Sequence, residues 1–214
     1  AVLAQVFKCV PLQSVISTVV AKHRADKKSR FIEPRRFDYR DQFVGLLLGQ
    51  MSREGCLNGI CIASDVHRNE LKRSLGLSPF KLNTFSNANR TRNPKIAEDV
   101  FWGVMEELKR ITPRMFRQRH KGNLSKFKNR DITAIDSTTI QLFLDSLDWA
   151  LYRHRKAAFK AHMRVDIASF MPQFIDLTDG KTNDSKMAGI LCEGLPPGSI
   201  AIADRGCNDA KFFN

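Results

Sequence analysis

In the first half of the chain, hydrophobic positions recur with a helical period. Leu12, Val15, Ile16, Val19 and Val20 fall on one face of a helix. The run from Lys22 to Arg36 is charged and holds Pro34, which predicts a loop. Asp38 is a natural N-cap, with Asp41 in the first turn, for a helix that presents Phe43, Leu46, Leu47 and Met51. A third helix carries Leu57, Ile60 and Cys61, and a short one from Glu70 to Leu75 stops at Gly76, a residue suited to the left-handed position after a helix. Between Leu82 and Arg92 the apolar residues are Phe85 and Ala88, with polar and basic groups elsewhere. Asn93 and Pro94 then open the clearest helix, one as N-cap and the other at the first helical position, where a missing N–H costs nothing. Its buried stripe is Ile96, Val100, Val104, Leu108 and Ile111, and its acids and bases complement the helix dipole.

After residue 130 the period changes from helical to alternating. Ile132 to Leu142 is rich in β-branched residues and predicts a strand. Ala158 to Ile167 predicts a second strand, Gln173 to Thr178 a third and Ser199 to Ala203 a fourth. Asp184 caps a helix with Met187, Ile190 and Leu191 between the last two, and a final helix is expected from about Asn208. The order β-β-β-α-β describes a mixed sheet in an α/β domain. The expected architecture is an all-α region at 1–112, a linker at 113–130 and the first part of an α/β core at 131–214.

Charge sharpens this division. Residues 1–130 hold 26 Lys and Arg against 11 Asp and Glu, a balance of +15, whereas 131–214 balance to −2. A front of that sign fits a polyanion, and nucleic acid gains from releasing its counterions to Lys and Arg. Residues 109–130 alone carry nine Lys or Arg and no acid. The five cysteines are odd in number and form no C-x-x-C pair, which argues against a disulfide framework or structural zinc and for a reducing compartment. No run approaches the roughly 18 apolar residues of a membrane span. A cytoplasmic protein without a membrane partner is the expectation. The absent initiator Met and the abrupt end at Asn214 suggest a fragment.

Two acids stand out by position. Asp136 sits within an apolar and hydroxylated strand, and Asp204 follows a strand at its C-terminal end, where open α/β sheets build their sites. A buried carboxylate is costly unless paired, hydrogen-bonded or bound to metal. If the first and fourth strands are neighbours, the two carboxylates share one divalent cation, and oxygen-only ligands favour Mg²⁺ or Mn²⁺. The alternative makes Asp204 a turn residue before Gly206 and Asp136 a salt-bridge partner.

Ala134-Ile135-Asp136-Ser137-Thr138-Thr139-Ile140 and Ile202-Ala203-Asp204-Arg205-Gly206 resemble the first two acidic motifs of DDE transposases from bacterial insertion sequences. Phe159-Lys160-Ala161-His162, with Asp166 and Pro172 after it, resembles that family's second and third strands, and the basic helical front resembles its N-terminal domain. The resemblance implies a ribonuclease-H-like core, Mg²⁺ (or Mn²⁺) dependence, and cleavage and strand transfer at the ends of an insertion sequence. It assigns Asp136 and Asp204 as the first two catalytic, metal-binding carboxylates. The family's third acid, a Glu, is expected downstream of residue 214, so the fragment alone is expected to be inactive. Cys207 stands where the family has Tyr.

Implied partners are double-stranded DNA, as element ends and target, with a homodimer allowed in the DNA complex. Candidate DNA contacts are Asn87, Arg90 and Arg92 on a recognition helix, Arg153, Arg155 and Lys156 beside Trp149 and Tyr152, and Lys160, which shares a strand face with His162. The competing readings are a polar surface helix, a solvated loop and a structural histidine. As whole-protein alternatives, a DNA-binding transposase remnant or inhibitor, or another ribonuclease-H-like nuclease, fits the same residues.

Overall fold

The computed structural model describes residues 5, 11–116, 126–127, 130–142 and 157–207. The chain divides into two compact units, Ala1–Ile111 and Thr112–Asn214.

The first unit is helical: α1 Leu12–Ala25, α2 Tyr39–Ser52, α3 Leu57–Val66, α4 Arg68–Leu75, α5 Leu82–Thr91 and α6 Lys95–Ile111. Local chemistry sets the ends. Asp38 and Asp41 form a reciprocal capping box at the start of α2. Gly76 ends α4 at φ 66°, a conformation glycine adopts without strain. Asn93 accepts from the Lys95 N–H at 3.0 Å to start α6.

Two cores form on either side of α2. One gathers Val44, Leu48, Ile60, Leu71, Leu77 and the ring cluster of Phe37, Phe80 and Phe85. The other gathers Leu12, Ile16, Val19, Tyr39, Ile96 and Val100, and Leu47 packs against both. Because α2 serves two cores, its buried face differs from the expected stripe: Val44 and Leu48 are enclosed, while Leu46 and Met51 are exposed. The stripe of α6 also ends early, since Ile111 is exposed at the helix terminus. His23, absent from the sequence reading, ties α1 to α6: Nε2 meets Asp99 at 2.9 Å and Nδ1 meets Ser29 at 2.7 Å.

The second unit begins with a short helix, α7 Pro113–Phe116, and holds β1 Ile132–Leu142, β2 Ala157–Asp166, β3 Pro172–Asp179, α8 Asp184–Cys192 and β4 Ile200–Ala203. A short 3₁₀ turn, Arg205–Cys207, follows. The expected four-stranded mixed sheet is present, in the order β3-β2-β1-β4. β1 and β2 pair antiparallel, as do β2 and β3, while β4 runs parallel to β1. Helix α8 supplies the crossover and covers one face, packing Met187, Ala188 and Leu191 on Ile135. The expected helix from Asn208 lies outside the described residues.

Candidate active site on β1 and after β4

The parallel register pairs Ile132 with Ile200 and continues to Ile135 with Ala203. The next residue along each segment is an aspartate, Asp136 within β1 and Asp204 just past β4, so the two follow neighbouring positions on chains about 4.8 Å apart. Both are exposed. This corrects the expectation of a buried Asp136. Strand alternation puts Ile135 and Ser137 on the α8 side, and Asp136 turns to the other face with exposed Thr138 and Ile140. The case for a cation therefore rests on juxtaposition, not on desolvation.

Each carboxylate is oriented by its own backbone. Asp136 Oδ1 accepts from the Ser137 N–H at 2.8 Å, and Asp204 Oδ1 accepts from the Gly206 N–H. A Cβ at Gly206 would lie 3.0 Å from Asp204 Oδ1 and 3.8 Å from Asp184 Oδ2. Glycine lets this turn close against both acids.

Asp184, in the first turn of α8, organises the other side of β1. Its Oδ1 accepts from Ser137 Oγ at 2.8 Å and from Lys160 Nζ at 3.1 Å. Lys160 also donates to the Thr182 carbonyl at 2.9 Å. Burial pushes the Asp184 carboxyl up, but the hydrogen bonds of Ser137 and Lys160, with the nearby charges of Lys160 and His162, outweigh it and hold the group below the usual carboxylate range. His162 is fully enclosed, with Nε2 at 2.8 Å from Thr178 Oγ1 and an unpartnered Nδ1 at 3.7 Å from Asp184 Oδ1. Burial pulls its pKa down, and against the opposing charge of Asp184 this effect prevails.

Lys160 was expected on DNA. It is instead committed to α8, because its position on β2 faces the helix and a half-buried ammonium there needs a carboxylate. Arg164 escaped the sequence reading: its guanidinium donates to the Leu191 and Glu193 carbonyls at 2.8 and 2.9 Å and satisfies the end of α8. No local signal marks such a long-range cap.

In the helical unit, Asn87 and Arg90 project from α5 into solvent. Arg92 does not. Its guanidinium donates to the Phe37 and Asp38 carbonyls and to Gln42 and lies over the Tyr39 ring at 4.4 Å. Asn89 is likewise engaged, with Gln42 at 2.6 Å. Arg153, Arg155 and Lys156 lie outside the described residues, as do Trp149 and Tyr152.

Among the described residues no group of three or more His, Cys, Asp or Glu is arranged to hold a metal ion. Two exposed, oxygen-only ligands still fit Mg²⁺, which keeps several waters and is commonly held by one or two carboxylates plus substrate phosphates. Among the described residues no helix is long and apolar enough to cross a membrane.

A mixed sheet with one acid within a strand and another just past its parallel neighbour defines the second unit as an α/β domain with a candidate carboxylate site. Residues 128–213 match the family model of the transposase DDE domain. No curated protein and no solved structure matches the chain.

Proposed function

We propose that the chain is part of a transposase that cleaves DNA and transfers strands at the ends of a bacterial insertion sequence, using a ribonuclease-H-like core. The carrying observation is the register that sets Asp136 beside Asp204 within the family-matched segment. Asp136 and Asp204 would hold Mg²⁺ or Mn²⁺. A bound ion of this kind supplies Lewis acidity to phosphoryl oxygens. The protein's own part is positioning. The Ser137 and Gly206 N–H groups aim the two carboxylates. On the opposite face, Ser137 bonds Asp184, and this fixes the part of β1 from which Asp136 projects. Lys160 neutralises Asp184, so the charge left to attract a cation is that of Asp136 and Asp204. DNA is the proposed partner of the basic front, with a homodimer allowed in the complex.

Calorimetric titration of the 214-residue chain with Mn²⁺ tests the site. Asp136→Asn and Asp204→Asn are each expected to weaken binding by more than about tenfold while leaving the fold intact. Unchanged affinity in both variants removes these residues from the site.

A further inference from the structure

The segment joining α1 to α2 runs opposite α5, and a groove of about 1110 Å³ lies between them. Arg35 and Arg36 line one wall, and Asn83, Asn87 and Arg90 line the other. All five side chains are exposed. The three from α5 are spaced i, i+4 and i+7, which makes one stripe along the helix. Phe85 occupies the opposite side and is buried, and Ala88, also buried, lines the groove beside the stripe, so packing fixes which way the stripe points.

The charge of this groove is uncompensated. Glu33 is the acid among its lining residues, and it is already paired with Arg24 at 2.8 Å. Among the described residues Arg35, Arg36 and Arg90 have no carboxylate partner. Arg90 instead donates to Asn87 Oδ1 at 3.3 Å, which keeps the two α5 side chains together.

The spacing of the walls is held by Arg92. Sited one residue past α5, it fastens the Phe37 and Asp38 carbonyls that directly follow Arg35 and Arg36. The ring of Tyr39 lies beneath the same guanidinium. Arg92 therefore acts through the two walls as a positioning residue.

We infer that this groove seats duplex DNA, with Arg35 and Arg36 on the phosphates of one strand and the Asn83–Asn87–Arg90 stripe toward base edges. An α-helix is about 10–12 Å across with its side chains and fits a major groove about 12 Å wide. Asn and Arg read adenine and guanine bidentately there, and phosphate contacts set the register without reading sequence. The inference deepens the proposed DNA-handling function and rests on it, but it is independent of the metal site.

The test is fluorescence anisotropy of the full chain with a labelled random-sequence DNA duplex across a salt series. The double variant Arg35→Ala/Arg36→Ala is expected to lower affinity on every sequence and to reduce the slope of log K against log salt by about 1.8, since each neutralised phosphate contributes about 0.9. Asn87→Ala removes no charge. It is expected to keep the slope and to flatten sequence preference in a selection from a randomised duplex pool. A double variant with the wild-type slope and an unchanged melting temperature overturns the groove. An Asn87→Ala chain with unaltered preference overturns its base-reading face, and tighter binding to an RNA duplex than to DNA overturns the choice of partner. Absence of any duplex binding by the wild-type chain defeats the DNA-handling reading itself, whereas binding that ignores only the arginine pair defeats the groove alone.

Discussion

Replacing Arg92 by Ala removes a side chain that the sequence alone would place on DNA and the structure places inside the protein. Its guanidinium donates to the Asp38 carbonyl and to Gln42 Oε1, both at 2.8 Å, and to the Phe37 carbonyl. It also lies 4.4 Å above the Tyr39 ring and 5.6 Å from that of Phe37. Hydrogen bonds from a charged donor contribute about 1.5–3 kcal/mol net, and a cation–π contact at a partly exposed site about 0.5–1 kcal/mol. The side chain is only half-buried, so water takes over part of what the substitution frees. The Asp38 carbonyl also keeps its bond from the Gln42 N–H. The expected cost is therefore about 2–3 kcal/mol, from the low end of those ranges. Urea unfolding of the full chain, resolved by hydrogen exchange over peptides spanning 37–42 and 82–92, measures it where it acts. Arg92→Lys should restore less than half, because an ammonium cannot present a planar fork to several acceptors while lying flat on a ring. A loss below about 0.5 kcal/mol, the range of an ordinary surface substitution, would refute the clasp. So would a DNA-binding salt slope reduced by about 0.9 in a folded Arg92→Ala chain, because that is the signature of a phosphate contact.

Two further predictions concern packing and pH. A Cβ at Gly49 would lie 2.4 Å from Ile60 Cδ1 and 2.7 Å from Cγ1, so Gly49→Ala is expected to wedge α2 from α3. The overpacking cost of about 1–3 kcal/mol should exceed the roughly 1 kcal/mol that alanine gains in a helix, and a urea midpoint at or above wild type would contradict it. Because burial lowers the pKa of His162 in the folded state, the unfolded chain takes up that proton first, and stability should start to fall as pH drops below about 6.5. Asp184, depressed instead, loses its contribution only as pH falls below the ordinary carboxylate range, so the two effects occupy separate windows. His162→Gln, which keeps a donor for Thr178, should remove the upper window; a wild-type midpoint unchanged between pH 7 and pH 5 would show that His162 is not held neutral.

Much of the architecture was legible because it rests on local chemistry. The Asp38 and Asn93 caps, the stop at Gly76 and the change of period after residue 130 are each written in a few neighbouring residues. Asp136 and Asp204 could be selected for a similar reason: one is an acid inside a β-branched strand pattern, and the other directly follows such a pattern. What alternation cannot say is which of two faces a helix will cover. The sequence places Lys160 and His162 together on one face, and they are together, but that face meets α8 and Asp184. Arg92 fails for a related reason. Its acceptors lie 50 to 55 residues away in sequence, and a cation four residues past buried Ala88 looks the same whether it turns out or in. The His23–Asp99 tie, 76 residues apart, is hidden in the same way.

The two faces of β1 explain why one pair of acids and not another is available for a cation. Three aspartates converge near the middle of this strand: Asp136, Asp204 and Asp184. Left alone, three like charges in so small a region would raise one another's protonation energy and destabilise the fold. The strand separates Asp136 from Asp184. Ser137 points to the α8 side and bonds Asp184, where Lys160 cancels the charge at 3.1 Å. Asp136, one residue earlier, must point the opposite way and enters open solvent beside Asp204. Among the described residues neither of these two has a cationic partner. Backbone N–H groups orient each carboxylate without neutralising it. The arrangement therefore sorts three chemically identical side chains into one structural ion pair and two oriented, uncompensated acids. Only the second kind retains the charge that draws a hydrated divalent ion, and the direction of the sorting follows from a single step of strand alternation.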